Sequence, residues 1–313
     1  MENDSYRVIL NPKAGKGRAF AKLDEIRERF RRAGVRHEIA LTEGAGHAVR
    51  LAEEAGRLGW SVVVAAGGDG TMNEAVNGLM LDADRGGTPP ALGILAVGRG
   101  NDFACGADIP SELEKGLDCL FRDLRRPLDV GVVRGGDYPG GRYFCNGLGI
   151  GFDTVVGFEA AKMAHTHGSL AYVAGALRAF VHYPATPFLT LSYDGSTISC
   201  QSTQINIMNG RRLGGVYWMA PRGKNYDGLL DLCMIKDRLT RVQFLDIVMR
   251  YAKGTQERHP LILTARARRF VVESRERGLA VHADGETICA DGSRVEVEVL
   301  PARLSIICEC GAG

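Results

Sequence analysis

The first 127 residues show apolar residues in two alternating patterns. Continuous apolar runs, such as residues 62–65, are typical of buried strands, and between them apolar residues recur every three or four positions. One of these spaced segments places Leu23, Ile26 and Phe30 on a single helical face. Strands that alternate with helices indicate a parallel sheet covered on both faces. We therefore predict an α/β domain with a doubly wound, mostly parallel sheet over residues 1–127.

The pattern changes after Pro127. Between residues 128 and 302, short runs of alternating apolar and polar residues are separated by Gly, Pro and Asp-Gly turns. Helical spacing interrupts these runs only at about 154–182 and 240–253. We predict that residues 128–302 form a second domain, a mostly antiparallel β-sandwich, and that the two domains abut to form a cleft.

Composition restricts the partners and the compartment. The chain has 313 residues, 45% of them hydrophobic, which suffices for two cores, and its net charge of +2 provides no general attraction for nucleic acid. Its eight cysteines include no C-x-x-C pair, so neither a zinc site nor a disulfide framework is indicated, and a reducing cytoplasm fits best. The sequence shows no signal peptide and no run of 18 apolar residues, so we expect no transmembrane segment.

The loop after residues 62–65 carries the main indication of function. Gly67, Gly68 and Gly70 surround Asp69, and we predict that a helix opens at Thr71. Glycines let backbone N–H groups approach an anion, and a helix N-terminus favours negative charge. An aspartate in such a loop would repel bare phosphate, so Asp69 indicates Mg²⁺ beside the phosphate. The alternative is a tight turn with an exposed Asp69.

Two further loops follow predicted strands of the same sheet. Residues 11–17 offer an amide, small residues and Lys16, a candidate for phosphate contact or a solvated lysine, and residues 98–102 follow the apolar run 91–97. Because the carboxyl ends of parallel strands share one edge, the three loops together predict a nucleotide-phosphate site. A late turn at residues 281–286, which contains Asp284, is either part of this cleft or an exposed β-turn.

These loops resemble the diacylglycerol kinase catalytic-domain family, which includes bacterial lipid kinases and the sphingosine and ceramide kinases. The motifs that carry the resemblance are NPKAGKG (11–17), TEGAGHA (42–48), GGDGTMNEAVNG (67–78), GRGNDFA (98–104) and ADGE (283–286). They span nearly the whole chain, although GGDGT is shared with NAD kinases and phosphofructokinases. The family implies an ATP-binding α/β domain, a β-sandwich domain and catalysis in the cleft between them. It also implies that the tail, about 303–313, returns to the first domain.

The resemblance also implies roles for single residues. Asp284 would be the general base on the lipid hydroxyl, Asp69 would organise Mg²⁺, Glu286 would lie near the nucleotide or its metal, and Asp153 near the acceptor head group. Asp227 and the carbonyls of Lys224 and Leu229 match a structural magnesium site of some bacterial members. The residues implied to hold ATP are Asn11, Thr42, Gly67, Gly68, Asp69, Gly70, Thr71, Glu74, Gly98, Arg99, Gly100 and Asn101. The chain departs from the usual pattern at Val97, Arg99 and Cys105.

Three functions from different classes follow. The first is an ATP- and Mg²⁺-dependent kinase that converts diacylglycerol to phosphatidic acid, or phosphorylates a monoacylglycerol, a polyprenol, a sphingoid base or phosphatidylglycerol. The second is an NAD kinase, which shares GGDGT, but the chain shows no counterpart of the glycine-serine-threonine motif typical of NAD kinases. The third is a silent lipid- or nucleotide-binding regulator, against which Asp69, Asp284 and Glu286 argue together.

A lipid kinase without a transmembrane segment is expected in the cytoplasm, peripheral to a membrane. Arginines near an anionic bilayer attract it, so one cluster suffices for weak and reversible binding. We also allow for a homodimer. The three arginine clusters available for this contact are Arg122 with Arg125 and Arg126, Arg211 with Arg212, and Arg266 with Arg268 and Arg269.

Overall fold

The computed structural model describes residues 4–152, 154, 186–275 and 278–310. Its first part alternates strands and helices in the order β1 (Ser5–Leu10), α1 (Arg18–Ala21), α2 (Leu23–Ala33), β2 (Arg36–Leu41), α3 (His47–Arg57), β3 (Val62–Gly67), α4 (Asp69–Asp84), β4 (Ala91–Ala96), α5 (Asp102–Gly106) and α6 (Leu113–Arg122). Strands β2, β1, β3 and β4 lie side by side and parallel. The predicted parallel α/β sheet is therefore confirmed.

The second part consists mainly of antiparallel strands. They are β5 (Arg125–Gly135), β6 (Tyr138–Phe144), β7 (Gly147–Gly151), β8 (Phe188–Tyr193), β9 (Ser196–Met208), β10 (Leu230–Lys236), β11 (Ile262–Ala267), β12 (Arg269–Ser274), β13 (Leu279–Ala283), β14 (Glu286–Gly292) and β15 (Arg294–Ile307). Helix α7 (Arg241–Lys253) lies between β10 and β11. The long strand β9 pairs with β8 through its first half and with β7 and β10 through its second. The predicted antiparallel sandwich is confirmed.

Apolar side chains cover both faces of the parallel sheet. Along β3, Val63 packs in a cluster with Leu79 of α4, while Val64 packs on the opposite face with Phe30 of α2. Such strands read as continuous apolar runs because both of their faces are buried. A further cluster lies between the two antiparallel layers and includes Phe144 and Phe270.

Strand β15 connects the two parts. Its first half pairs with β12 and β5, its register shifts between Leu300 and Leu304, and Ile306 then pairs in parallel with Leu92 of β4. Pro301 and Ala302 lie at this shift, and Ala302 adopts a left-handed φ of 51°. The chain absorbs this irregularity as a bulge and continues one strand. The division at residues 127 and 128 lies inside β5 and remains a prediction.

Several elements were not expected from the sequence. Helix α4 begins at Asp69 and not at Thr71, and the short helix α5 follows the third loop. The glycine-rich strand β7 and the strands of the late turn, β13 and β14, also lacked a clear pattern. Within the ranges given above, no helix is long and apolar enough to cross a membrane. The predicted helical region at about 154–182 lies outside the described residues except for Thr154.

Candidate active site

Three loops meet at the carboxyl ends of β1, β3 and β4. Asn11 donates from Nδ2 to Thr71 Oγ1 at 3.1 Å, which ties the first loop to helix α4. A Cβ on Gly98 would lie only 2.4 Å from the Cα of Gly68, so the second and third loops touch through their glycines. Arg18 donates to the carbonyl of Gly98 at 2.9 Å and joins the first loop to the third. The structure thus brings the predicted phosphate loops together.

Gly68 is the N-cap of helix α4 and has extended backbone angles, with no side-chain cap. The N–H groups of the first turn therefore have no side-chain partner at the cap, as at other anion-binding helix starts. Gly70 follows with open space around it, since a Cβ there would meet nothing within 4 Å. Lys16 and Arg99 are exposed on the flanking loops. This arrangement can receive a phosphate group.

Asp69 lies near two other carboxylates, those of Asp102 and Asp284. Its Oδ1 accepts the backbone N–H of Phe103 at 3.2 Å, and a Cβ on Gly100 would lie 2.9 Å from its Oδ2. Burial raises the pKa of Asp69 above its ordinary value, and the carboxylates of Asp102 and Asp284 raise it further. A cation at this point would reverse that repulsion.

The donor set fits Mg²⁺ held partly by a substrate. Among the described residues, no three His, Cys, Asp or Glu side chains are grouped as ligands of a metal ion. Mg²⁺ commonly binds through one or two carboxylates together with phosphate oxygens and water. Asp69, beside the open helix start, is the residue that would hold such an ion.

Asp284 lies on a two-residue hairpin turn between β13 and β14. Ala283 pairs with Glu286, and Asp284 and Gly285 have φ of 47° and 87°, which matches a type I′ turn. The exposed-turn alternative does not describe the carboxylate, because Asp284 is only partly exposed. Glu286 is exposed at the start of β14.

The Asp284 carboxylate is held by backbone amides of the segment that joins β6 to β7. Oδ2 accepts the N–H of Cys145 at 2.8 Å, and Oδ1 accepts the N–H groups of Asn146 at 3.1 Å and Gly147 at 2.8 Å. Asn73 Nδ2 donates to Oδ2 at 3.0 Å. Burial, followed by the charge of Asp284, raises the pKa of the Cys145 thiol well above its ordinary value. The carboxylate is therefore fixed in one orientation, and Cys145 is a neutral neighbour.

Asn73 is a site residue that sequence reasoning missed. It is 1% exposed in the interior of α4, where it donates to Asp284 and to the carbonyl of Tyr143. Its Oδ1 accepts from Arg142 at 3.1 Å and from Asn77 at 3.2 Å. The signal was available, since two asparagines four residues apart on an apolar helix need partners when they are buried.

Asp102 and Arg212 form a second missed pair. Asp102 accepts from Arg212 Nε at 2.8 Å and from the N–H of Gly215 at 3.0 Å, and Arg212 also donates to the carbonyl of Gly100 at 2.9 Å. Both side chains are largely buried. This pair clamps the third phosphate loop to the segment that follows β9.

Glu74 and Thr42 have structural partners near the site. The carboxylate of Glu74 accepts the N–H groups of Gly46 at 2.9 Å and Ala48 at 3.1 Å, and so caps the start of α3. The N–H of Thr42 donates to the carbonyl of Leu10 at 2.9 Å. Contact of either residue with ATP remains a prediction.

The proposed structural magnesium site has a competing cation. Asp227 Oδ2 forms an ion pair with Arg266, whose Nε also lies 3.3 Å from Asp231. Asp227 Oδ1 accepts the N–H of Leu229 at 3.2 Å, while Lys224 is exposed on the same loop. Because the Asp227 carboxylate is paired with the Arg266 guanidinium, this donor set does not fit a metal ion in this arrangement. Asp153, the expected acceptor contact, lies outside the described residues.

Both parts of the chain match known protein families. Residues 5–133 match the family model described as "Diacylglycerol kinase catalytic domain", and residues 147–308 match "YegS C-terminal NAD kinase beta sandwich-like domain". The chain is similar to a diacylglycerol kinase of Bacillus subtilis, with 30% identity over 90% of this chain and 89% of that protein. It is 36% identical to a YegS-like lipid kinase of Chromohalobacter salexigens, over 73% of this chain and 70% of that protein.

The fold is also similar to that of a solved structure. The crystal structure of a diacylglycerol kinase from Bacillus anthracis superposes with a TM-score of 0.73 and 21% sequence identity, over 98% of this chain and 97% of that chain. At this identity the comparison supports the architecture and leaves the chemistry to the site itself.

Proposed function

This chain belongs to the diacylglycerol kinase catalytic-domain family, and on that basis we propose that it is a lipid kinase that uses ATP and Mg²⁺. It transfers the γ-phosphoryl group of ATP to the hydroxyl of diacylglycerol and yields phosphatidic acid. The names of its relatives support a lipid acceptor, since one is a diacylglycerol kinase and another a YegS-like lipid kinase.

The observation that carries this proposal is the link between Asp284 and helix α4. The start of this helix is the phosphate loop, and Asn73 lies four residues after Asp69, about 6 Å along the helix axis. Asn73 then contacts Asp284 at 3.0 Å. In this proposal, a phosphoryl group at the helix start and a hydroxyl at Asp284 would lie within about one helical turn of each other.

The residues of the chain supply positioning and charge. The first turn of α4 and its glycines bind the phosphates, which is the main task in phosphoryl transfer. Mg²⁺ held by Asp69 and the phosphates would neutralise phosphate charge. Asp284 accepts the proton of the lipid hydroxyl while the hydroxyl oxygen bonds to the γ-phosphorus of ATP. The bond between the γ-phosphorus and the oxygen that links it to the β-phosphorus breaks, and ADP is released. The backbone amides around Asp284 keep the carboxylate aligned for this transfer.

A lipid panel tests the proposal. The protein is incubated with labelled ATP, Mg²⁺ and detergent micelles that contain diacylglycerol, monoacylglycerol, a sphingoid base, a polyprenol or phosphatidylglycerol, and separately with NAD. We expect labelled phosphatidic acid that disappears in EDTA. Transfer to NAD alone would support an NAD kinase, and the absence of transfer to any acceptor would support a silent regulator.

Variants then test the two carboxylates. Asp69→Asn and Asp284→Asn should each lower the transfer rate by roughly 10² or more, the loss expected when a metal-binding or proton-accepting group is removed. Asp284→Asn should retain ATP binding in calorimetry, because in the proposed mechanism the Asp284 carboxylate contacts the acceptor hydroxyl and not the triphosphate. Thr287→Ala, an exposed change on the same hairpin, is the control and should be silent. Wild-type turnover by Asp284→Asn would reject its role as the base.

A further inference from the structure

Helix α7 has an unusual distribution of apolar side chains. Its inner face is buried, where Ile247 and Tyr251 pack against Met219. Its outer face also carries apolar residues, with Leu245 exposed by 62% and Met249 by 56%. A helix on the surface of a globular protein normally presents polar residues to water. The outer face of α7 therefore needs another explanation.

The exposed apolar residues form one stripe. Val242, 78% exposed, precedes Leu245 by three positions and Met249 by seven, and Ala252 continues the spacing. Residues that recur in this way share one side of a helix. The helix is well defined at both ends, by a Thr240 capping box at its start and by Gly254 with φ of 65° at its end. The 13-residue helix is about 20 Å long, and the stripe from Val242 to Ala252 covers about 15 Å of it.

Basic residues flank the stripe along the chain. Residues 237–253 contain four basic side chains and two acidic ones, and one of the acids, Asp246, is paired with Arg250 at 2.7 Å. The basic residues are Arg238, Arg241, Arg250 and Lys253. A helix with an apolar stripe and a basic border is typical of one that lies in the interface of an anionic bilayer.

The arginine clusters considered from the sequence are less suited to this contact. Arg212 is paired with Asp102, and Arg269 with Glu296. Arg266 is shared between Asp227 and Asp231. Pairing with an acid does not by itself separate the two surfaces, since Arg250 of α7 is also paired, with Asp246. The face around α7 is favoured because its basic residues accompany a stripe of exposed apolar side chains.

The position of α7 fits access to the acceptor side of the site. The Phe244 ring contacts that of Phe152, with centroids 4.9 Å apart, and Phe152 follows β7, whose first residue binds Asp284. Near the C-terminal end of α7, the Tyr251 carbonyl accepts the N–H of Trp218 at 2.9 Å. The same segment includes Val216, 55% exposed, next to Gly215, which contacts Asp102. Helix α7 is thus packed against two segments that lead to the cleft.

We propose that the outer stripe of α7 and Val216 dock the enzyme onto an anionic lipid bilayer. This docking surface consists of Val216, Val242, Leu245, Met249 and Ala252. The proposal rests on the proposed function, because an enzyme whose acceptor is a membrane lipid must place its cleft at the bilayer. The helix lies in the plane of the interface, its apolar stripe enters the acyl region, and its basic residues contact acidic head groups.

Vesicle sedimentation without ATP or diacylglycerol tests the docking surface directly. Wild-type protein should bind vesicles of phosphatidylcholine with 30% phosphatidylglycerol, and binding to pure phosphatidylcholine should be several-fold weaker. The double variant Leu245→Ser/Met249→Ser should lose at least tenfold in affinity. Lys253→Glu should weaken binding to the anionic vesicles alone. Leu58→Ser removes an equally exposed leucine, 65% exposed, at the end of α3 and should bind like wild type.

Activity assays separate this proposal from the function itself. On diacylglycerol in vesicles, the double variant should lose transfer in proportion to binding, while on short-chain diacylglycerol in detergent micelles it should equal wild type. Wild-type vesicle binding by the double variant would overturn the docking surface. The docking surface would also be overturned if, in lipid-free ultracentrifugation, wild type were a dimer and the double variant a monomer, because the stripe would then be a protein interface. Failure of wild type on all lipids in micelles would instead overturn the kinase proposal. Circular dichroism confirms that each variant is folded.

Discussion

Gly70 is the residue that best separates a phosphate loop from a tight turn. A Cβ there would meet no atom within 4 Å, and its φ is not left-handed, so Gly70→Ala fits the fold. In the first turn of α4, alanine should raise the free energy of unfolding by up to about 1 kcal/mol. The methyl group should nevertheless obstruct a phosphate that approaches the helix start. We expect ATP affinity, measured by calorimetry, to fall about tenfold, or about 1.4 kcal/mol.

A matched control is available on β6. Gly140 is also surrounded by open space, lacks a left-handed φ and is far along the chain from the phosphate loops. Gly140→Ala should leave ATP affinity unchanged. If Gly70→Ala binds ATP like wild type, the first turn of α4 is not the phosphate site and the tight-turn alternative is favoured.

For single residues, the sequence predicted the role of the loop glycines better than the partners of the polar side chains. The loop at residues 67–70 is recognisable because no other residue type gives the backbone such access to an anion. The partners of Asp284 were not predictable, since they are backbone amides of residues 145–147, well over a hundred positions away. Asn73 was missed because most asparagines are exposed, so an asparagine in a helix is usually assigned to its solvated face.

The Asp102–Arg212 clamp acts at the level of elements, since it joins the start of α5 to the segment after β9. Arg212→Ala leaves the buried Asp102 carboxylate with only backbone donors, which should cost about 3 kcal/mol of unfolding free energy. Arg212 also holds the carbonyl of Gly100, so the KM for ATP should rise. Urea unfolding and steady-state kinetics measure the two effects.

An exposed pair of the same chemistry provides the control. Arg222 is 83% exposed in its pair with Glu257, and Arg222→Ala should cost no more than about 1 kcal/mol. In a double-mutant cycle, Asp102→Ala should cost less in the Arg212→Ala background than in wild type. Additive costs would show that the two side chains do not act as a pair.

Among the elements, periodicity predicted the long ones and failed for the short ones. Helix α7 was expected at 240–253 and spans Arg241–Lys253, because both its spacing and its cap are visible in the sequence. Strand β7, GLGIG, has too few side chains to show alternation, and its position depends on pairing with β9 and β13. Pairing with distant strands determines the position of β7, which the local sequence pattern does not indicate.

At the scale of the whole molecule, β15 argues against independent unfolding of the two parts. Its first half supplies Val295 and Val297 to the core between the antiparallel layers. Its second half supplies Leu304 and Ile306 to the cluster that packs against α3 and α4. The change of pattern after Pro127 predicted two parts directly from the sequence, whereas the return of the tail was predicted only through the family resemblance. The contribution of β15 to the cores of both parts could not be predicted from the sequence, because pairing between distant strands leaves no local pattern.

The unfolding of single-tryptophan variants tests this coupling. The chain has two tryptophans: Trp60, which packs against the first core, and Trp218, which lies in the second part and donates its N–H to the carbonyl of Tyr251. Ile306 is fully buried, so Ile306→Ala should cost about 2–5 kcal/mol, whereas the neighbouring Ser305→Ala should be nearly neutral. Because β15 belongs to both cores, Trp60→Phe and Trp218→Phe proteins should unfold at one urea midpoint, and Ile306→Ala should lower both midpoints equally. A shift confined to the Trp60 signal would show that the two parts unfold separately.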